Sequence, residues 1–165
     1  PGYCILTVEG TSSMDDWVTN LKFIVRKDDT HRGFKANAMS TLAKMVVSYE
    51  SLEKDRVIVV AGHSLGGATA TVLADLLLKS TSELHIVTIG SPRPGGRGLR
   101  KRLKDVDHLR FVHGSDIVPK SPPFLTGYVH THPVIHLEDV NPTRFDRVAD
   151  HNAADYYTAV EKLLS

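Results

Sequence analysis

The sequence predicts an α/β protein, a mostly parallel sheet flanked by helices, and three observations lead there. Short β-branched runs alternate along the chain with stretches whose apolar residues recur every three or four positions. The run from Val57 to Ala61 is apolar without a break, as a strand covered on both faces must be. It stops at Gly62-His63-Ser64-Leu65-Gly66-Gly67, and a helical pattern follows at once. With 165 residues the chain is long enough to bury a substantial core, and residues 1–165 read as one domain without repeat, linker or low-complexity segment.

The first strand is Tyr3 to Val8, ending in a turn at Glu9-Gly10-Thr11. Ser13-Met14-Asp15-Asp16 has the spacing of a capping box, and Trp17, Val18 and Leu21 follow at helical intervals. From Gly33 to Tyr49, Phe34, Ala38, Leu42, Val46 and Tyr49 form one apolar stripe, so a helix packs there on something flat. Val57 to Ala61 is the central strand and Ala68 to Lys79 the helix after it. Leu84 to Ile89 is the next strand, broken by the prolines and glycines of "GSPRPGG". Leu99 to Lys104 reads as a short helix, Leu109 to Val112 as a strand and "SDIVPKSPPF" as a loop. Tyr128 to Leu137 looks extended, with Pro133 favouring an edge or a bulge. A last helix begins near Asp150, with Ala153, Tyr157, Val160 and Leu164 on one face.

Composition excludes several classes of function. Apolar residues make up 41% and charged residues 24%, the balance of a folded soluble protein. The net charge is +1, and the basic cluster Arg97, Arg100, Lys101, Arg102 and Lys104 reads as a solvated helix face, so no nucleic acid is expected as partner. No apolar segment approaches the ~20 residues of a membrane span. Cys4 is the sole cysteine, which forbids an intramolecular disulfide and tips the expected setting slightly toward the cytoplasm over secretion. The opening "PGYCILTVEG" reads as the middle of a fold, leaving room for a targeting segment removed ahead of it.

The corner at Ser64 carries the chemistry. Gly62 to Gly66 matches GxSxG between a strand and a helix, where small residues let the backbone turn sharply and lift the serine hydroxyl off the end of the sheet. The same turn aims the amide of Leu65 and the positive end of the helix at an oxyanion forming on Ser64. A serine hydroxyl needs a base, and the base an orienting carboxylate. Asp116 in "HGSDIVP" fits the acid, since it directly follows a strand and so stands at the carboxyl edge of the sheet. The base comes from His130, His132, His136 or His151. His151 is preferred because it opens the last helix, where a side chain can reach over the sheet edge. His130, His132 and His136 share one face of an extended segment and raise a metal site as the alternative, but strand histidines are more often structural. His63 and His113 read as supports for their neighbours.

The segments "GTSSMDDWVTNL", "HRGF", "VIVVAGHSLGGATA", "VTIGSPRPGG", "FVHGSDIVPKSPP" and "DHNAADYY" stand in an order that closely resembles the class 3, or fungal-type, lipase family of α/β hydrolases, over nearly the whole chain. The resemblance implies a compact α/β-hydrolase fold lacking the usual N-terminal elements, with Ser64 as nucleophile, Asp116 as acid and His151 as base. It further implies an oxyanion hole built from Thr11 and Leu65, and a lid over Ser13 to Leu21 in which Met14, Trp17, Val18 and Leu21 face the substrate groove or a lipid surface. The alternative for that helix is a fixed element burying Trp17. Glu9 stands where the family usually has arginine, Val8 replaces its usual aromatic, and the cysteines that staple many secreted members are absent.

The function expected is therefore a serine ester hydrolase for glycerolipid acyl esters that needs no cofactor or metal and touches a lipid interface transiently. The alternatives are an esterase for soluble short-chain or aromatic acyl esters and a non-catalytic module binding lipid or protein. A short sheet with unpaired edges leaves room for a second copy of the chain.

Overall fold

The computed structural model describes residues 2–10, 29–49, 57–81, 83–140 and 149–165. Among them run β1 (Tyr3–Val8), α1 (Arg32–Tyr49), β2 (Val57–His63), α2 (Leu65–Leu77), β3 (Leu84–Ile89), α3 (Arg97–Arg102), β4 (Asp107–His113), β5 (Ile135–Leu137) and α4 (Ala153–Leu164). The five strands form one sheet in the order β1-β2-β3-β4-β5, and every pair is parallel. All five carboxyl ends thus point to one rim, where His63, Ile89, Phe111 and Ile135 stand in register.

Residues alternate between two faces of the sheet. Ile58, Val60 and Ile86 meet Phe34 and Ala38 of α1, Ala68, Leu73 and Leu77 of α2, and Leu99 and Leu103 around α3. On the opposite face Leu137, Ile89 and Phe111 meet Tyr156 and Ala159 of α4. Helices therefore cover both sides, as alternating elements require. The helix after the elbow is buried almost all round, and its alanines, glycines and threonines allow that close approach. Within it Thr71 Oγ1 donates to the Gly67 carbonyl at 2.9 Å, so its hydroxyl is satisfied inside the core.

Three expectations are corrected. Helix α2 starts at Leu65, not Ala68, because the turn at Ser64 feeds straight into it. Between Tyr128 and Leu137 only Ile135–Leu137 joins the sheet, while Val129 forms an isolated antiparallel bridge with Gly95. Pro133 has no N–H to give a ladder, so the extended segment is interrupted there. Helix α4 buries Tyr156 and Ala159, whereas Tyr157 is 66% exposed and Leu164 81%. The helix thus packs on Leu137, Ile89 and Phe111 through Tyr156 and Ala159, one position earlier than the apolar spacing counted from Ala153 places its inward face. The α1 stripe holds at Phe34, Ala38 and Leu42, with Met45 joining it.

In the basic cluster, Arg102 is engaged inside the molecule: Nε and one terminal nitrogen grip the Asp75 carboxylate at 2.7 and 2.9 Å, and the other terminal nitrogen reaches Asp29 at 2.9 Å. This fork joins α3 to α2.

Candidate active site

Ser64 has φ 58° and ψ −129°, the one non-glycine residue with positive φ among those described. Such a conformation costs on the order of 1–3 kcal/mol and persists only where its surroundings over-determine it. Here they do. The Ser64 amide donates to the Ile89 carbonyl at 2.9 Å, and the Ser64 carbonyl accepts from the Gly67 amide at 3.0 Å. At Gly66 a Cβ would lie 2.1 Å from the Val8 carbonyl oxygen, so only glycine lets the exit of β1 press against the elbow. The amide of Leu65 opens α2, where the first N–H groups have no intrahelical acceptor and the helix dipole is positive.

Asp116 and His151 meet although 35 residues separate them: His151 Nδ1 donates to Asp116 Oδ2 at 2.7 Å. Asp116 is 1% exposed and His151 4%. The carboxylate is fixed from two more directions, by the Val118 amide at Oδ1 (2.9 Å) and by the Tyr156 hydroxyl at Oδ2 (2.7 Å). Burial, then the neighbouring Asp116 charge, pushes the Tyr156 phenol far above its ordinary range, so it remains a donor to the carboxylate throughout the working pH.

With Nδ1 committed to Asp116, the other ring nitrogen of His151 is the one left for proton transfer. Nε2 is buried and has no hydrogen-bond partner among the described residues. Ser64, 2% exposed, is joined to this pair through its neighbours in sequence and space. The His63 ring stacks on that of His151 with centroids 4.7 Å apart, and the residue after Ile89, Gly90, packs directly on Asp116 and His151. No hydrogen bond links Ser64 to Nε2, a looseness common in sites without substrate.

The turn carrying His151 is tied to the sheet rim. His113 Nδ1 donates to the Asp150 carbonyl at 3.1 Å while its Nε2 accepts from the Val140 amide at 3.1 Å, which fixes one tautomer of a fully buried ring. The Ser115 amide donates to the Asp150 carboxylate at 2.9 Å. His63 Nε2 donates to the His151 carbonyl at 3.1 Å. Both rings therefore tie the turn carrying His151 to the ends of β2 and β4.

Two residues escape sequence reading. Tyr156 is hidden because helix spacing points to Tyr157 instead. Gly90 has φ 59°, and a Cβ there would lie 2.8 Å from His151 Cε1 and 3.0 Å from Asp116 Oδ2. The one available signal was its place at the end of a strand, next to a proline-rich loop.

The other histidines go elsewhere. His130 Nε2 donates to the Pro119 carbonyl at 2.7 Å, the His132 ring lies 5.2 Å from that of His108, and His136 is exposed on β5. The three do not converge, and among the described residues no group of three or more His, Cys, Asp or Glu side chains is arranged to hold a metal ion. Thr11, together with Met14, Trp17, Val18 and Leu21 of the expected lid, lies outside the described residues.

Comparison with known proteins follows the same lines. The family described as Lipase (class 3) matches residues 5–126. A secreted mono- and diacylglycerol lipase 1 of Fusarium solani is 34% identical over 146 residues, which cover 81% of this chain and 44% of that protein. A secreted mono- and diacylglycerol lipase A of Penicillium cyclopium is 30% identical, covering 83% of this chain and 48% of that one. The solved triacylglyceride lipase of Rhizomucor miehei superposes with a TM-score of 0.73 at 24% identity, covering 90% of this chain and 69% of that structure, which bears on the fold alone. The chain spans less than half the length of these two curated relatives. Their secreted character overturns the preference for the cytoplasm drawn from Cys4. A lone thiol bounds disulfide formation and says little about address.

Proposed function

Because the chain belongs to the class 3 lipase family, we propose that it is a serine ester hydrolase that cleaves acyl esters of glycerolipids, with residues 1–165 as one catalytic domain. The observation that carries this reading is the buried 2.7 Å contact between Asp116 and His151 beside the strained turn at Ser64.

In the proposed cycle His151 Nε2 takes the Ser64 proton as Oγ attacks the ester carbonyl, and Asp116 stabilises the imidazolium that forms. The Leu65 amide, with Thr11 by family resemblance, holds the oxyanion. His151 then protonates the departing alcohol, and a water, deprotonated by the same imidazole, cleaves the acyl-enzyme and regenerates Ser64. Every proton in this cycle passes through His151, and the residues need no cofactor.

The substrate class is taken from the relatives named for mono- and diacylglycerol, and the same relatives make secretion the expected setting. Ser64 and His151 are almost wholly buried, which fits a site that an acyl chain enters through local opening. Transient contact with a lipid surface would supply that opening.

The test is hydrolysis of a chain-length series of nitrophenyl esters, below and above micelle formation, by the wild type and Ser64→Ala. The expected outcome is a rate that rises above the micellar threshold and falls by at least about a thousandfold in the variant. Undiminished activity in Ser64→Ala removes the nucleophile. Ordinary saturation on soluble esters, with no micellar rise, replaces the lipase by an esterase.

A further inference from the structure

We propose that His63 is a positioning residue for the base, coupling the nucleophile's own turn to His151; this rests on the hydrolase reading above. The two residues lie 88 positions apart in sequence and meet through two contacts of different kinds. The His63 ring stacks on the His151 ring at 4.7 Å with the planes 27° apart, and its Nε2–H donates to the His151 carbonyl at 3.1 Å. The stack restrains the tilt of the imidazole, and the hydrogen bond restrains the backbone from which it hangs. Tyr156, which holds Asp116, meets the same His63 ring edge-on at 6.0 Å.

The geometry assigns this task to His63 because of where the residue sits. It ends β2 and immediately precedes Ser64, so any shift of the nucleophile is passed to the ring against which the base rests. Asp116 anchors Nδ1 of His151 from one end. That anchor alone leaves the ring free to swing about the Nδ1–carboxylate axis and carry Nε2 away from Ser64. A flat neighbour on the ring face removes that freedom. Burial, followed by the charge on His151 when it is protonated, lowers the proton affinity of His63 itself, so at neutral pH it stands beside the base as an uncharged ring. A lysine or arginine in this place would instead oppose the imidazolium that the reaction must form.

Three variants separate the contacts: His63→Phe keeps a ring and loses the N–H, His63→Gln returns an N–H without the ring, and His63→Ala removes both. They are assayed with a soluble short-chain nitrophenyl ester below micelle formation. Active sites are counted by complete phosphonate labelling of Ser64, so misfolded protein does not enter kcat. The expected result is a loss in kcat of about tenfold for Phe and for Gln and about a hundredfold for Ala, with KM within twofold of wild type. If Ala does not fold, the Phe and Gln variants carry the test. A merely structural role would lower yield and Tm while leaving kcat per labelled site unchanged in all three, and that outcome overturns the inference. Failure of the hydrolase reading is distinguishable, since the wild type would then be inactive or Ser64→Ala would match it.

Discussion

At the scale of single residues, the strained Ser64 and the close-packed Gly90 shape the site. A side chain at Gly90 would occupy the space of His151 Cε1 and Asp116 Oδ2, and its φ of 59° disfavours any other residue. Gly90→Ala is expected to lower kcat by about a hundredfold by displacing the imidazole, while circular dichroism still reports a folded protein. Wild-type turnover in that variant would mean that the contact between Asp116 and His151 tolerates the displacement a Cβ imposes. The residues of the proposed triad are legible in the sequence because their placement is written locally: Ser64 lies within a five-residue signature, and Asp116 and His151 each stand where a strand ends or a helix begins. Gly90, Tyr156 and the partners of His63 were illegible for the opposite reason. Their roles arise from contacts with residues tens of positions away, to which no local spacing refers.

At the scale of elements, the turn Ala149–His151 and the start of α4 decide where the base points. Asn152 caps this helix, its side-chain oxygen accepting from the Ala154 amide at 3.0 Å. Loss of such a cap costs about 1 kcal/mol. Asn152→Ala should therefore lower Tm by a few degrees, and because His151 is the adjacent residue, kcat should fall severalfold while KM holds. An unchanged kcat alongside the lowered Tm would separate the cap from the chemistry. The elements themselves were largely legible, since the strands and helices alternate with the right periods. The inward face of α4 was not, because Tyr157 continues the apolar stripe as well as Tyr156 does, and only docking beneath Asp116 chooses between them. Of the extended segment expected over Tyr128 to Leu137 only Ile135–Leu137 joins the sheet, because neighbouring side chains and a proline, more than β propensity, decide what pairs.

At the scale of the whole molecule, acid stability should report the buried histidines. His130 is held neutral, with a pKa lowered to about 3 by burial and then by the Arg110 charge. His108, bridging Thr88 and Thr131 through both ring nitrogens at 2.9 Å, is likewise lowered to about 3, mainly by burial. Unfolded, both would titrate near 6.5, so below that pH the unfolded chain binds more protons than the native one. The stabilisation they contribute is complete above about pH 6.5 and is lost as pH falls toward 3. His130→Asn should thus be less stable than wild type at pH 7.5, having lost the bond to Pro119, and the gap in Tm should close progressively toward pH 4.5. A gap independent of pH would show that this ring is not kept neutral by the fold.

The sequential strand order has a consequence for how the protein comes into being. The elbow is encoded by Leu65, whereas the proposed base lies in the turn before α4. As the polypeptide leaves the ribosome, the proposed nucleophile therefore emerges well before its proposed proton acceptor. On the proposed mechanism, a variant truncated before Ala149 keeps the elbow but lacks the proton acceptor, and it should fail to hydrolyse esters.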